Sequence, residues 1–309
     1  MTPNLPTVSV IIPARDAADV LQRALDSIDD QSYPNIVDVI VAAADDQSAE
    51  ASSDRATVVR NEEGSTPAGL NLAIGASKGE VIVRCDARSI LPADYIARAV
   101  DTLMRTNAAN VGGMQVPVGQ TQWERAIGAA MSSPFGAGDA RYRIGGEEGP
   151  VETVYLGVFR REALERLGGF NEAFTRNQDY ELNHRLIEAG EVVWFDPGLQ
   201  VRYRPRAGLP QLARQYFEYG RAKGQFARTH RAGLRWRQVA APVLTLVLLG
   251  SLIWSVALPA TLLVPGVYVL GLLVVGVSSG QNPFRVAAAL ATMHLSWGWG
   301  FLTARLAKD

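Results

Sequence analysis

The sequence of 309 residues predicts an α/β domain with a mainly parallel, Rossmann-like sheet, followed by a membrane domain of apolar helices. Short β-branched runs alternate with amphipathic stretches over residues 1–200, which is typical of a parallel sheet with crossover helices. Charged residues become scarce after residue 238, which indicates membrane spans. A composition of 48% hydrophobic and 20% charged residues excludes a disordered chain, and the single Cys85 excludes an internal disulfide.

The front domain, residues 1–200, begins with a strand at Val8–Ile12, because this run is β-branched and ends at Pro13. A helix follows, since apolar residues recur at helical spacing over residues 20–28. The same alternation predicts strands at Val37–Ala42, Thr57–Arg60 and Glu80–Arg84, and a helix at Pro67–Ala76. This repeated order implies right-handed crossovers and a ligand site beyond the carboxyl ends of the strands.

Polar side chains gather directly after these strands. They are Arg15 and Asp16 after the first strand, Asp45 and Asp46 after the second, and Asp86 and Arg88 after the fourth. We expect them to converge, because the carboxyl ends of parallel strands share one edge of the sheet. Taken singly, each aspartate is also typical of a helix cap or a turn. The sequence contains neither GxGxxG after the first strand nor GxxxxGK[ST], so it predicts neither a dinucleotide fingerprint nor a P-loop.

The C-terminal third divides into a basic segment, residues 201–238, and an apolar tail, residues 239–309. Between Arg202 and Arg237 the chain has ten basic residues and a single acid, Glu218. The tail contains two uncharged runs, 239–258 and 261–279, each close to the ~20 residues that cross a bilayer. A third run, 286–302, fits a span, a re-entrant segment or an interfacial helix.

The basic segment predicts the orientation of the chain. Six basic residues directly precede the first run: Arg221, Lys223, Arg228, Arg231, Arg235 and Arg237. Such residues stay on the cytoplasmic side, so we expect a multi-pass protein of the inner or plasma membrane with a cytoplasmic front domain. The segment serves as a topology signal alone, or also contacts anionic headgroups or a phosphate-bearing lipid substrate. No nucleic-acid motif accompanies it, so no nucleic-acid partner is predicted.

Five segments carry a family resemblance: VSVIIPARD, VIVAAADDQS, GLNLAIGASKGEVIVRCDA, FRREALERLGGFNEAF and NQDYELNHRLIEAG. In their order and spacing they resemble family 2 glycosyltransferases, which have the nucleotide-diphospho-sugar transferase (GT-A) fold. The extended run GLNLAIGASKGEVIVRCDARS, with WFDPGLQVRYRPR, LARQYFEYG and MHLSWGWGFL, resembles the membrane-attached, succinoglycan-type glycosyltransferases of bacterial exopolysaccharide assembly. The resemblance covers nearly the whole chain.

The resemblance implies a role for each matching residue. Pro13, Ala14, Arg15 and Asp16 would wrap the nucleoside, Asp45 or Asp46 would read the base, and Asp86, the first acid of the DxD motif, would lie near the diphosphate. Gly168, Gly169 and Phe170 match a loop on the acceptor side, and Gln178 stands where the family often has an acid. Asp179 matches the general base, because a carboxylate within reach can take the proton of the acceptor hydroxyl. An aspartate at a helix N-terminus is also favoured by the helix dipole alone.

The DxD motif here is Asp86, Ala87 and Arg88, and it supports two hypotheses about the metal requirement. Arginine has no acceptor lone pair and stays protonated, so Arg88 adds positive charge where the motif would supply a ligand. One hypothesis is that Arg88, with Arg202 or Arg204, neutralises the diphosphate in place of a metal. The other is that Asp86 and the diphosphate hold Mg²⁺ or Mn²⁺, with waters completing the shell.

These features predict a membrane-anchored inverting glycosyltransferase that moves one sugar from a nucleotide donor, foremost a UDP-sugar, to a hydroxyl of a lipid-linked saccharide in cell-surface or exopolysaccharide assembly. Ala232 replaces the glutamine of the processive QxxRW signature, which favours a single addition over polymerisation. Two alternatives stay open. The chain is a polyprenyl-phosphate glycosyltransferase, or a catalytically weakened scaffold that binds other polysaccharide-assembly proteins.

Overall fold

The structure is a computed structural model, and it describes residues 5–230 and 236–304. The chain divides into two compact units. The first comprises Met1–Val116 and Gly145–Tyr203, and the second comprises Pro117–Ile144 and Arg204–Asp309. The expected domains, residues 1–200, 201–238 and 239–309, stay predictions of functional organisation. Arg231, Ala232 and Arg235 of the basic segment, and the side chain of Arg237, lie outside the described residues.

One sheet of eight strands forms the centre of the first unit. The strands are β1 Val8–Ala14, β2 Ile36–Ala43, β3 Thr57–Arg60, β4 Val81–Arg84, β5 Asn110–Pro117, β6 Gly149–Pro150, β7 Tyr155–Arg160 and β8 Val193–Tyr203. The α-helices of both units are α1 Ala18–Asp29, α2 Asp46–Glu50, α3 Thr66–Ala76, α4 Tyr95–Thr106, α5 Gln122–Met131, α6 Pro134–Ala137, α7 Arg141–Ile144, α8 Arg161–Arg166, α9 Gln178–Glu188, α10 Leu209–His230, α11 Trp236–Trp254, α12 Leu263–Ser278 and α13 Pro283–Leu302. A short 3₁₀ helix, Pro259–Leu262, precedes α12.

The sheet is parallel in one half and mixed in the other. Its order is β3-β2-β1-β4-β7-β5-β8-β6, and the first four strands pair in parallel. β7 is antiparallel to both β4 and β5, and β6 is antiparallel to β8. The expected parallel sheet therefore forms only from the four strands that the sequence predicts, because antiparallel neighbours need no crossover helix and do not produce the βα alternation.

β1 is central because every side chain of its VSVII run is buried, as a strand covered on both faces requires. β1 lies between β2 and β4 in the sheet. From β1 the chain continues to the β2 side of the sheet, and from β4 it continues to the opposite side. A crevice at the carboxyl ends of such strands is the usual place for a ligand in an open α/β sheet. This topology predicts a ligand site at the loops after β1, β2 and β4.

The second unit consists of helices, and α13 is its inner helix. Four of its apolar residues are at most 1% exposed: Val286, Ala289, Leu290 and Met293. It contacts α5, α10, α11 and α12. Gly220 on α10 and Gly300 on α13 let these two helices approach closely, since a Cβ at either position would overlap the backbone of the other helix.

The helices before α13 expose apolar side chains. Ile253 on α11 is 72% exposed, and Val267 and Val277 on α12 are 68% and 70% exposed. Among the described residues, Pro259–Ser278 is the one helical stretch long and apolar enough to cross a membrane, with a mean hydropathy of 2.3. The helix Gln238–Trp254 is apolar but shorter. Of the three expected spans, this stretch corresponds to 261–279, and the other two stay predictions.

Asp196 on β8 ties the sheet to α4. Its buried carboxylate accepts hydrogen bonds from Arg98 Nε and Nη2 at 2.8 and 2.7 Å and from Thr102 Oγ1 at 3.0 Å. Burial alone would raise the pKa of Asp196, but these donors outweigh burial and the pKa is lowered. A carboxylate whose pKa is lowered by folding stabilises the native state at neutral pH.

We expect Asp196→Ala to reduce the free energy of unfolding by about 2 to 3 kcal/mol, because Arg98 and Thr102 lose a buried partner. Urea unfolding of the purified protein at neutral pH measures this change. Since the folded pKa is lowered, the difference from the wild type should be complete above the unfolded pKa and disappear as the pH falls through the folded value. Asp101→Ala, at an exposed carboxylate of α4, is the control, and an equal loss there would contradict the assignment.

Candidate active site

The Asp45 carboxylate joins the loops that follow β1 and β2. It caps α2 by accepting the N–H of Ser48 at 2.8 Å, and it accepts the N–H of Asp16 at 2.9 Å. The hydrogen bond from Ser48 is the main cause of the lowered pKa of Asp45. Asp16 has a φ of 48°, a left-handed conformation in which aspartate is enriched. The expected nucleoside loop is thus held in an unusual conformation by one of the residues expected at the base.

The remaining expected nucleoside residues lie at the same edge of the sheet. Pro13 and Ala14 are the last residues of β1, and Ala14 is buried. Arg15 is exposed and donates from Nη1 to the carbonyl oxygen of Gly64 at 3.2 Å. Asp46 is exposed and pairs with Arg60 at 2.6 Å. The structure therefore brings these residues together, and their individual roles stay predictions.

Arg84, the last residue of β4, connects Asp86 with Asp179. Its side chain is buried, its Nε donates to Asp86 Oδ1 at 2.9 Å, and its Nη2 forms an ion pair with the same oxygen at 2.8 Å. Its Nη1 donates to Asp179 Oδ1. The Asp86 and Asp179 side chains are 34% and 35% exposed, so both carboxylates remain open to a ligand. Two expected site residues that are distant in the sequence therefore share one guanidinium.

Burial and Arg84 act in opposite directions on Asp179. Burial is the larger effect and raises the pKa of Asp179, Arg84 lowers it, and the charge of Asp86 raises it again, so the net pKa is raised. Burial also opposes the charge of Arg84, but the two carboxylates outweigh it and raise the pKa of the guanidinium. A carboxylate with a raised pKa is a stronger base, which suits proton removal from a hydroxyl group.

Arg88 links the loop after β4 to the loop after β1. Its Nη2 donates to the carbonyl oxygen of Asp16 at 3.0 Å, and its side chain is exposed. Arg202 is also exposed and lies on β8 opposite Ile90. Arg204 forms an ion pair with the buried Glu124 at 2.9 Å. Arg88 is therefore in contact with the expected nucleoside loop.

The donor set at Asp86 fits one kind of divalent cation. Within residues 5–230 and 236–304, no three His, Cys, Asp or Glu side chains come together. Arg84 engages Oδ1 of Asp86, which leaves Oδ2 for another partner. Mg²⁺ is commonly held by one or two carboxylates together with substrate phosphates and waters. The residues fit a cation bound in that way, with Asp86 as its protein ligand.

The expected acceptor loop is anchored by Asn71. Gly168 and Gly169 adopt φ values of 72° and 73°, which favour glycine. The backbone of Phe170 donates to and accepts from the Asn71 side chain, both at 2.8 Å. The Phe170 ring is 2% exposed and packs edge-on against Phe159, so it shapes this loop through the core.

α9 begins directly after this loop and carries Asp179 in its first turn. Asn177 occupies the position before the helix with a φ of 58°, and Gln178 is buried at 8% exposure. The expected helix that starts near Asp179 therefore forms. Asp179 benefits from the helix dipole and also contacts Arg84, so the two interpretations of this residue do not exclude each other.

Sequence reasoning missed Arg84 and Asn71. A signal for Arg84 was present, because an arginine ends the otherwise apolar strand VIVR. A buried guanidinium needs a carboxylate or a similar partner, so this position predicts an ion pair even though it does not name the partner. Asn71 carries no such signal, since its side-chain bonds reach Phe170 and Glu172, which lie 99 and 101 residues away.

The chain matches a known family over half of its length. The model of "Glycosyl transferase family 2" covers residues 9–168. The chain is 34% identical over 231 residues to "Succinoglycan biosynthesis protein ExoA" of Rhizobium meliloti, covering 72% of this chain and 68% of that protein. It is 25% identical over 248 residues to "Glycosyltransferase AglE" of Haloferax volcanii, covering 76% of this chain and 79% of that protein.

A solved structure supports the fold. The mannosyltransferase PcManGT from Pyrobaculum calidifontis, in complex with GDP-Man and Mn²⁺, aligns with a TM-score of 0.60 at 22% identity, covering 94% of this chain and 86% of that chain. At this identity the likeness concerns the fold alone. The family model and the 34% identity to the Rhizobium protein also show the family. The chain belongs to glycosyltransferase family 2, and it is a glycosyltransferase with a mixed α/β, GT-A fold.

Proposed function

We propose that the protein is a membrane-anchored inverting glycosyltransferase of exopolysaccharide assembly. It moves one sugar from a nucleotide donor to a hydroxyl of a lipid-linked saccharide. The observation that carries this proposal is the contact of Arg84 with both Asp86 and Asp179. The name of the Rhizobium relative supports the assignment to a polysaccharide of the cell surface.

Asp179 acts as the general base. It takes the proton of the acceptor hydroxyl while that oxygen attacks the anomeric carbon, and the bond from this carbon to the diphosphate oxygen breaks. A single displacement opposite the leaving group inverts the anomeric configuration. Arg84 holds the Asp179 carboxylate in a fixed direction through their ion pair. This positioning supplies the near-attack geometry on which such a step depends.

Donor binding uses the loops after β1, β2 and β4. The segment Pro13–Asp16 and the pair Asp45 and Asp46 bind the nucleoside, and Arg88 with Asp86 lies at the diphosphate. Arg88 neutralises part of the charge that develops on the leaving group. A divalent cation on Asp86, when bound, would add Lewis-acid stabilisation of the same oxygens. Gly168–Phe170 and Gln178 border the acceptor.

The membrane anchor is α11 with α12. Their exposed apolar side chains, such as Ile253 and Val267, are removed from water when they contact lipid. The basic residues of α10 that precede α11, among them Arg221 and Arg228, keep the start of α11 in the cytoplasm. The transferase is accordingly a multi-pass protein of the inner membrane with a cytoplasmic catalytic domain.

Transfer to a lipid-linked saccharide is tested with washed membranes from cells that express the chain. Membranes are incubated with radiolabelled UDP- or GDP-sugars, and label is measured in the lipid extract before and after mild acid. We expect label in a lipid-linked saccharide that is longer by one sugar, with inverted configuration at the new linkage. Label attached directly to a lipid phosphate would instead favour the polyprenyl-phosphate alternative, and a retained configuration would contradict direct displacement.

Donor binding should persist without a metal, because Arg88 is a fixed positive charge at the diphosphate. We expect the matching nucleotide to stabilise the detergent-solubilised protein by ~2.7 kcal/mol at ~100 times its Kd in EDTA. Arg88→Ala should abolish this stabilisation, whereas Arg23→Ala, at an exposed arginine of α1, should preserve it. Stabilisation that vanishes in EDTA and returns with Mn²⁺ would assign the charge to a cation held by Asp86.

A further inference from the structure

A polar cleft in the second unit lies where two helices begin. Its volume is about 240 Å³, and it is lined by Gln122, Arg125, Gly280, Gln281, Asn282 and Arg285. Gln122 and Arg125 belong to the start of α5, and Arg285 belongs to the first turn of α13. None of the six lining residues is acidic or apolar apart from the glycine. The volume lies below the ~300–1,000 Å³ of pockets for drug-sized ligands, so the cleft suits a small polar group.

The side chains that line this cleft carry a net positive charge. The first turn of a helix already carries a partial positive charge from the helix dipole, and each of the two helices adds an arginine there. Among the described residues, neither Arg125 nor Arg285 has a carboxylate within ion-pair distance. The described bonds of Arg125 and Arg285 reach only the Gln120 carbonyl oxygen and the Gln122 side chain, respectively.

Arg285 is held in place before any ligand arrives. Its guanidinium carbon lies 5.4 Å from the centroid of the Trp123 ring, and its Nη1 donates to Gln122 Oε1. Its side chain is half-buried, and its remaining N–H groups have no partner among the described residues. Arginine presents its donors in a planar fork that matches a phosphate group. The cleft is therefore ordered in advance for an oxyanion.

Exposed apolar residues adjoin the cleft in the chain. Phe284, next to Arg285, is 72% exposed, and Val277, three residues before Gly280, is 70% exposed. If α11 leaves the cytoplasm and α12 returns to it, the turn between α12 and α13 lies at the cytoplasmic surface of the bilayer. Basic pockets beside membrane helices on that side bind the phosphates of lipid headgroups.

We propose that this cleft binds the phosphate of a membrane lipid, with the lipid chains against Phe284 and α12. The inference rests on the membrane attachment of the proposed function. The shared chemistry is a phosphate ester that is attached to an apolar chain. It is supplied either by a phospholipid of the bilayer or by a polyprenyl carrier that bears the acceptor saccharide.

The test measures equilibrium binding to the full-length protein in an uncharged detergent, without donor or turnover. The probes are dihexanoyl phosphatidic acid, farnesyl diphosphate and inorganic phosphate, each titrated against the thermal unfolding midpoint. We expect both lipid phosphates to bind to the wild type. For R125Q/R285Q we expect a dissociation constant that is higher by about tenfold or more, because charge-assisted hydrogen bonds are lost. Tighter binding of phosphatidic acid assigns a bilayer lipid, and tighter binding of farnesyl diphosphate assigns the carrier.

The control R23Q/R166Q removes two exposed arginines of α1 and α8 and should bind both lipids normally. R125K/R285K keeps the charge and should retain part of the affinity, which separates lost recognition from a folding defect. Unchanged affinity in R125Q/R285Q, an equal loss in the control, or equally tight binding of inorganic phosphate would overturn the proposal. Normal lipid binding without glycosyl transfer would contradict the proposed function alone, and normal transfer without lipid binding would contradict this cleft alone.

Discussion

Asp179→Asn is expected to lower the turnover number by about 10² to 10⁴-fold while nucleotide-sugar binding stays close to that of the wild type. Asparagine keeps the size of the side chain and one oxygen for Arg84, but it cannot take a proton from the acceptor hydroxyl. The donor residue Asp86 is linked to Asp179 through Arg84, and asparagine can still accept the hydrogen bond from Arg84. Turnover is measured with the lipid-linked acceptor, and donor affinity is measured by the shift of the unfolding midpoint.

Asp19→Asn is the matched control for this variant. Asp19 lies in the first turn of α1, so the change removes a carboxylate from a helix N-terminus without touching the candidate site. Its turnover should remain that of the wild type. Near-normal turnover in Asp179→Asn would remove Asp179 from the role of base, and it would favour a phosphate acceptor, which needs no strong base.

Arg84→Met is expected to reduce the turnover number by about 10²-fold, because the Asp179 carboxylate loses the contact that positions it. Arg84→Met should also change the pKa of Asp179. Arg84 lowers the pKa of Asp179, so its removal raises that pKa further. The base must be ionised to act, so the acid limb of the pH–turnover profile should move to higher pH.

The pH profile separates a positioning role from a loss of stability, which would lower activity at every pH alike. Arg160→Met is the control, since Arg160 also lies in the sheet but its side chain donates, among the described residues, to the backbone carbonyls of Ala108 and Leu103. It should leave the acid limb in place. Arg84→Lys keeps the charge and should return the limb toward its wild-type position. A limb that does not move in Arg84→Met would contradict the proposed coupling of the two residues.

The strands that the sequence predicts are those with a local signal. β1 to β4 form within two residues of their expected bounds, because β-branched runs ended by turn residues leave few alternatives. β5, β6, β7 and β8 were not predicted, since they lie in a part of the sheet without regular βα alternation. Their antiparallel pairing depends on partners that are distant in the chain, and no local pattern specifies it.

The candidate site divides in the same way. Motifs identify Asp86 and Asp179 as acidic residues at a strand end and at a helix N-terminus, respectively. The tertiary structure decides which basic residue joins them. Arg84 contacts Asp179 across 95 residues of sequence, and only the placement of α9 beside the end of β4 creates that contact. The cleft at Arg125 and Arg285 is likewise formed by segments from two distant parts of the chain.

By itself the sequence determined the βα alternation, the family and the apolar character of the tail, because each depends on neighbouring residues or on ordered motifs. The tertiary structure decided that residues 117–144 group with the C-terminal helices, that α13 is buried among its neighbours, and that Arg84 is shared by two carboxylates. The physical reason is that a local pattern specifies which side chains avoid water. The partner that each buried side chain meets depends on how the whole chain packs.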